Sequence, residues 1–179
     1  MKKGFTHEST HNKSVEWYTP KYIFDALGIE FDLDPCSPGA NVVPWIPAKK
    51  HLTFEDNGLM AKWEGAVWMN PPYGRETPDW LGKLATHGNG MALVFCRPDT
   101  IWFHKHVRQA DALCLMKGRV KFIHSKWAKT YVELGFDNTK GRPGAPSMLI
   151  AYGEDMSRAL FDSDLGLTLR IIQSEQKRK

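Results

Sequence analysis

Cysteine is scarce in this chain and does not come in pairs. Cys36, Cys96 and Cys114 are the only three thiols among 179 residues. They stand far apart, in or beside apolar stretches, which suggests neither a disulfide framework nor a zinc knuckle and leaves reduced thiols as the expectation. Long apolar runs are missing as well. No stretch approaches the roughly 18 residues of a bilayer-spanning helix, and Met1-Lys2-Lys3-Gly4-Phe5-Thr6-His7 leads into polar residues rather than an apolar signal core. The expectation is a cytoplasmic protein with no membrane partner. The histidines do not converge either: His7 and His11 lie in a polar arm, and His104 and His106 would face different sides of a helix, so no metal site is expected. What the chain has is apolar and aromatic material. At 42% hydrophobic residues, with seven Trp and nine Phe, it is not a disordered chain. Its length suits one domain that buries about 70% of the surface its unfolded chain would expose.

The net charge of +4 is modest, but its distribution is uneven. Between Lys117 and Arg142, seven basic residues (Lys117, Arg119, Lys121, Lys126, Lys129, Lys140, Arg142) face two acidic ones (Glu133, Asp137), which places +5 in this segment and −1 in the rest of the chain. Phe122, Trp127, Tyr131 and Phe136 are interleaved with these charges. A basic excess with aromatics between is what a polyanion needs; a solvated face over core aromatics produces the same pattern.

Along the chain, residues 1–16 read as a flexible arm. Thr19 as cap, Pro20 at the first helical position, Ile23, Phe24 and Leu27 on one face, and Gly28 as the stop predict a helix. Ile29 to Asp34 alternates apolar and acidic residues, as a strand does, and ends in the turn Pro35-Cys36-Ser37-Pro38-Gly39. The stretch from Ala40 to Pro47 reads as irregular, and Asp56 as the cap of a short helix through Trp63. Ala66 to Met69 then reads as a buried strand that delivers Asn70 into a Pro-Pro turn. Thr77-Pro78-Asp79 repeats the cap-and-proline entry, with Gly88 as the stop. Met91 to Cys96 is a fully apolar strand, Ile101 to Gln109 a helix, and Leu113 to Met116 a further strand. Val120 to Ile123 and Ser147 to Tyr152 read as two more strands joined by a long loop, and Leu165 to Gln173 as an edge strand. Such alternation predicts an α/β sandwich with a largely parallel sheet and helices on both faces. Ligands of such sheets sit beyond the carboxyl ends of the strands, which places Asp34 and Asn70 on one rim. The division expected is an arm over 1–16, a single domain over 17–173 with a basic insertion around 117–146, and a disordered basic tail over 174–179.

Asn70-Pro71-Pro72-Tyr73 directly after a buried strand is the most specific signal. Two prolines fix two consecutive φ angles and remove two donors, so the turn is stiff and its carbonyls are pure acceptors. Asn70 adds a side-chain acceptor and Tyr73 a flat ring. A conjugated amine is a poor nucleophile because its lone pair is delocalised. The Asn70 oxygen and the Pro71 carbonyl, by binding both amine hydrogens, would favour a tetrahedral nitrogen with its lone pair directed outward. The N6 of adenine in DNA, an amine of an RNA base, cytosine N4 or a protein glutamine amide meets this description. A catalytically inactive DNA-binding module would also keep the fold.

This arrangement resembles the amino-methyltransferases, in which Asn-Pro-Pro-Tyr follows the fourth strand of a Rossmann-like sheet. Glu16-Trp17-Tyr18-Thr19-Pro20, Asp32-Leu33-Asp34-Pro35, the Trp63 to Tyr73 stretch and Gly118-Arg119-Val120-Lys121-Phe122 together are similar to the phage-type Dam family of DNA N6-adenine methyltransferases, over roughly residues 15 to 152. The resemblance implies a host bacterial cytoplasm, methyl transfer from S-adenosylmethionine to N6 of an adenine flipped out of double-stranded DNA, and stacking on Tyr73. It implies that Trp17, Thr19, Pro20, Asp34 and Pro35 border the cofactor, with Thr19 on its carboxylate and Asp34 on its ammonium. Asp56 is the candidate for a further acidic contact, or else only a helix cap. Arg119, Lys121, Lys126, Trp127, Lys129, Lys140 and Arg142 are the nucleic-acid candidates, and a monomer is expected. Two departures stand out. The loop after Asp34 has one glycine and two prolines where most methyltransferases are glycine-rich. Only 36 positions separate Asp34 from Asn70, too few for two complete βα units, so a reduced sheet is expected.

Overall fold

Val67-Trp68-Met69 is the segment around which the fold is organised. All three side chains are buried, and they alternate between two separate cores, Trp68 on one face of a sheet and Val67 and Met69 on the other. The computed structural model describes residues 16–134 and 144–172. Along the chain its elements are β1 (Trp17–Tyr18), α1 (Lys21–Leu27), β2 (Phe31–Asp34), β3 (Ala48–His51), β4 (Val67–Met69), α2 (Thr77–His87) and β5 (Gly90–Phe95). Then follow α3 (Ile101–His106), β6 (Ala112–Met116), β7 (Ile123–His124), α4 (Ala128–Leu134), β8 (Ser147–Tyr152), α5 (Glu154–Asp162) and β9 (Gly166–Arg170).

Seven strands form one sheet in the order β3-β2-β4-β5-β8-β6-β9. The expected largely parallel sheet is in fact mixed: β3, β2, β4 and β5 run parallel, but every pairing beyond β5 is antiparallel. β8 enters between β5 and β6 in the reverse direction, and β9 runs opposite to β6 at the margin. α1 and α5 supply the helical side of one core and α2 the other, where Val107 and Ala110 after α3 join it. β5 and β8 therefore have buried residues on both faces, which explains their apolar runs.

Counted along the chain, Asn70 follows the third strand of this sheet. The 36 positions before it accommodate β3 and a 3-10 turn at Phe54–Asp56, with no helix between β2 and β4. β3 was not expected. It is an edge strand whose Lys49 and Lys50 are exposed, so it carries no apolar periodicity. The helix expected from Asp56 to Trp63 is only that 3-10 turn, because Asp56 closes a capping box on Thr53 rather than opening a helix. α5 was not expected either.

The first helix forms as its sequence suggests, except that Pro20 rather than Thr19 occupies the cap position. Gly28 ends it at φ 63°, a left-handed conformation that glycine adopts without steric cost. In α2, Thr77 is the first helical residue rather than the cap. The strand expected over Val120 to Ile123 shrinks to β7, which pairs antiparallel with β1. The expected long loop after it contains a 3-10 turn (Ser125–Trp127) and α4. Among the described residues no helix is long and apolar enough to cross a membrane, and no metal-binding group of side chains occurs.

Candidate active site

Asp34 is the last residue of β2 and Asn70 follows the last residue of β4. The two strands are parallel neighbours, with Leu33 opposite Val67, so both residues stand on the same rim. Cys36 joins them. Its backbone N–H (3.2 Å) and its thiol (3.8 Å) both reach Asp34 Oδ1, and the Asn70 backbone N–H donates to its sulfur. The loop after Asp34 rests on Gly58: a Cβ there would lie 1.8 Å from the Pro35 carbonyl oxygen and 2.9 Å from the Trp80 ring.

Asp34 is buried, with His51 Nδ1 4.0 Å from its Oδ2. Burial pushes its carboxyl up to about 7, against the weaker opposing pull of the Cys36 hydrogen bonds. The same burial pulls His51 down and pushes the Cys36 thiol well up, so the neutral forms of both are favoured. His51 also meets Ser37 Oγ at 2.8 Å.

The Asn70 amide is held from both sides. Its Nδ2 donates to the Trp17 carbonyl at 2.9 Å, and its Oδ1 accepts from the Tyr73 hydroxyl at 3.2 Å. The Trp17 carbonyl is available because β1 uses its alternate backbone groups for β7: the Ser125 N–H donates to the Glu16 carbonyl at 3.0 Å, and Trp17 points the other way. Trp17 also packs edge-on against His124, at 4.9 Å between ring centroids.

The Pro-Pro turn is less outward-facing than its sequence suggests. Pro71 is buried, and the Pro72 carbonyl accepts from Thr77 Oγ1 at 3.1 Å, which also accepts from the Gly74 N–H at 3.1 Å. Thr77 thus fastens the turn to the start of α2. Among the described residues nothing hydrogen-bonds the Pro71 carbonyl. Tyr73, expected to offer its ring to a base, is instead packed inward in this structure. It stacks on Phe95 with centroids 4.2 Å apart and planes 11° apart, and its hydroxyl also reaches the Leu93 carbonyl at 3.3 Å.

Of the cofactor candidates, Trp17, Thr19, Pro20, Asp34 and Pro35 lie on or beside β1 and β2, along the same rim as Asn70. Thr19 is fully buried, and its Oγ1 finds no partner among the described residues. Asp56 does not join them: it is exposed, and its Oδ2 accepts from both the N–H (2.7 Å) and the hydroxyl (2.9 Å) of Thr53.

Of the nucleic-acid candidates, Arg119, Lys121, Lys126 and Lys129 are exposed, while Val120, Phe122 and Ile123 between them are buried. Trp127 is half-buried, with Lys126 Nζ 5.3 Å from its ring. Tyr131 serves packing, edge-on to Trp45 and accepting the Lys21 N–H. Lys140, Arg142 and Phe136 fall outside the described residues. Phe95 and His51 are neighbours of the site that the sequence pattern did not single out. Only their positions at or just beyond the ends of adjacent parallel strands would have pointed to them.

A family model described as DNA N-6-adenine-methyltransferase (Dam) matches residues 7–140, most of the chain. The chain belongs to the Dam family. Its activity is methylation of DNA at adenine N6. The Dam match spans the Asp34 strand end, the Asn70 turn and the basic segment as far as Lys140. Comparison with curated proteins and with solved structures gave no match.

Proposed function

We propose that the chain uses S-adenosylmethionine as methyl donor and that Asn70, Pro71, Pro72 and Tyr73 form the catalytic centre on a reduced, Rossmann-like sheet. The observation that carries this reading is the orientation of Asn70. Its amide nitrogen is committed to the Trp17 carbonyl, so its oxygen is the group presented as acceptor.

The rim suits the cofactor on two counts. Thr19 Oγ1 is a buried hydroxyl without a partner among the described residues, and Asp34 is a buried carboxyl whose nearest basic group is the His51 ring at 4.0 Å. A buried polar group in this condition is costly until a ligand satisfies it. Asp34 would take an ammonium and Thr19 a carboxylate, with Trp17, Pro20 and Pro35 bordering them. Bound there, S-adenosylmethionine supplies an electrophilic methyl on a sulfonium. Asp56 has no part in this reading, since its carboxylate is engaged by Thr53.

The residues of the chain do the rest by position. Asn70 Oδ1 and the Pro71 carbonyl accept the two N6 hydrogens and favour the tetrahedral nitrogen. The stiff turn, fastened by Thr77, keeps those acceptors in place without reorganisation. The adenine reaches them by flipping out of double-stranded DNA, which costs a few kcal/mol. Arg119, Lys121, Lys126 and Lys129 would hold flanking phosphates, with Trp127 beside them and Lys140 and Arg142 continuing the basic segment. The unit proposed is a monomer with one domain over 17–173.

The test is incubation with tritiated S-adenosylmethionine and mixed-sequence DNA, followed by nucleoside analysis. Label in N6-methyladenine is the expected result. Label in another nucleoside, or none at all, rejects the reading.

A further inference from the structure

Lys83 forms no ion pair among the described residues, yet its ammonium is fully engaged. From α2 its Nζ donates to the backbone carbonyls of Gly58 (3.2 Å), Leu59 (2.6 Å) and Ala61, and it lies 4.8 Å from the centre of the Trp63 ring. Those carbonyls have no other donor. The Met60 and Ala61 N–H groups both donate to the Asn57 carbonyl and close a single turn, while no backbone N–H among the described residues reaches the carbonyls of Gly58, Leu59 or Ala61. A turn that ends this way leaves acceptors unsatisfied, and a lysine ammonium brings three hydrogens to one point. Burial pulls Lys83 down from the ordinary lysine value. The neutral amine, with two hydrogens, would not satisfy all three carbonyls.

What this clamp holds in place is Gly58. The Gly58 carbonyl accepts from both Lys83 and Trp63 Nε1, the latter at 2.8 Å, and its backbone is pressed so closely on Pro35 that a Cβ would stand 1.8 Å from the Pro35 carbonyl oxygen. Pro35 opens the loop that follows Asp34. The same helix also grips the other half of the site, because Thr77, its first residue, donates to the Pro72 carbonyl. We propose that Lys83 is a positioning residue: its ammonium fixes Gly58, Gly58 fixes Pro35, and α2 thereby keeps the loop after Asp34 in register with the Asn70 turn. The proposal rests on the S-adenosylmethionine reading above. In that reading methyl donor and acceptor nitrogen must meet in line, and a misplacement of about 1 Å costs about 10²-fold in rate. A helix attached to both supports sets that distance, and Lys83 is one of its two points of attachment.

Lys83→Met keeps an apolar stem and removes the cation. Its S-adenosylmethionine affinity, by titration calorimetry on the folded chain, is expected to fall about 5- to 50-fold, the part of three charge-assisted hydrogen bonds that reaches the loop. Its kcat for N6-methyladenine formation at saturating cofactor is expected to fall about 10- to 100-fold. A role in stability alone would lower the melting temperature and leave both constants of the folded chain as they were, and that result overturns the proposal. Lys83→Ala provides a second arm, which decides alone where Lys83→Met does not fold. Propylammonium replaces the stem and charge that alanine lacks, so it should restore cofactor affinity to this variant, whereas 1-propanol at matched ionic strength should not. No rescue, or equal rescue by 1-propanol, overturns the proposal. In the double variant of Lys83→Met with Gly58→Ala the losses of affinity should not multiply, because both changes act on one loop; losses that multiply exclude Gly58 as the route. An unaltered chain that binds no S-adenosylmethionine is a different result, and removes the reading on which the proposal stands.

Discussion

Asn70 and Trp17 are joined by a 2.9 Å hydrogen bond from the side-chain amide of one to the backbone carbonyl of the other, although 53 positions separate them in the chain. This bond distinguishes the two ends of the amide, which an isolated Asn-Pro-Pro-Tyr turn would not. An aspartate at position 70 would still offer acceptor oxygens, but it would face the Trp17 carbonyl with a second acceptor and no hydrogen between them. Asn70→Asp is therefore expected to lose activity nearly as severely as Asn70→Ala. For the alanine variant the loss should be about 2.7–4 kcal/mol of barrier, as for removal of an oxyanion-hole donor. Steady-state rates and calorimetric S-adenosylmethionine affinity measure both. An active aspartate variant, or an equal loss of cofactor affinity, would place Asn70 in a different role.

The raised pKa of Asp34 sets a pH dependence for cofactor binding. Burial holds the carboxyl at about 7, so at lower pH most molecules carry a proton there, and pairing with an ammonium first requires its release. Affinity for S-adenosylmethionine should fall about tenfold for each unit below that value. Burial pulls His51 down from its ordinary value, and Cys36 stays protonated, so Cys36 adds nothing to this slope. Asp34→Asn should bind weakly with a flat profile. Constant affinity of the unaltered chain from about pH 7.5 to 5 would separate Asp34 from the ammonium.

Gly58 bears on the site through the loop after Asp34, which packs against it. Alanine there would drive a methyl into the Pro35 carbonyl and the Trp80 ring, since the added carbon would lie 1.8 Å and 2.9 Å from them. The expected cost is about 1–3 kcal/mol of stability, read as a lower melting temperature, together with weaker cofactor binding as the loop after Asp34 moves. Unchanged binding in Gly58→Ala would show that this loop is not part of the cofactor surface.

Lys126 and Lys129 are exposed on the 3-10 turn and helix that follow β7. Replacing each with alanine should weaken DNA binding and reduce the salt slope of log K by about 0.9 for every phosphate left without its lysine. Fluorescence anisotropy with a duplex over a range of salt concentrations measures it. The same slope in the double variant would remove this face from the DNA.

Much of the site was legible because its signals are local. The apolar stretch Val67-Trp68-Met69 before Asn70, the alternation ending at Asp34, and Gly28 after the first helix each depend on neighbours in sequence. What was missed depends on partners far along the chain. β1 is two residues long and exists because β7 pairs with it. β3 has exposed lysines and is a strand only through its backbone bonds to β2. α5 does bury Met156, Ala159 and Leu160 at helical spacing, but its cap residue Gly153 provides no side-chain hydrogen bond to announce it. Asp56 shows the opposite case, a residue with the right chemistry for a cofactor contact that Thr53, three positions earlier, claims first. The inward Tyr73 was beyond reach because it depends on Phe95, which the fold, not the sequence, brings alongside.

The missing helix between β2 and β4 also decides how the sheet can grow. β3 forms one margin of the sheet, and its two exposed lysines there, Lys49 paired with Asp32, would have to be desolvated by an added strand. The opposite margin, β9, exposes Leu167 and Leu169 instead. Any end-to-end association or aggregation of this chain through its sheet therefore has one permissive side, and a lysine at position 167 or 169 would close it.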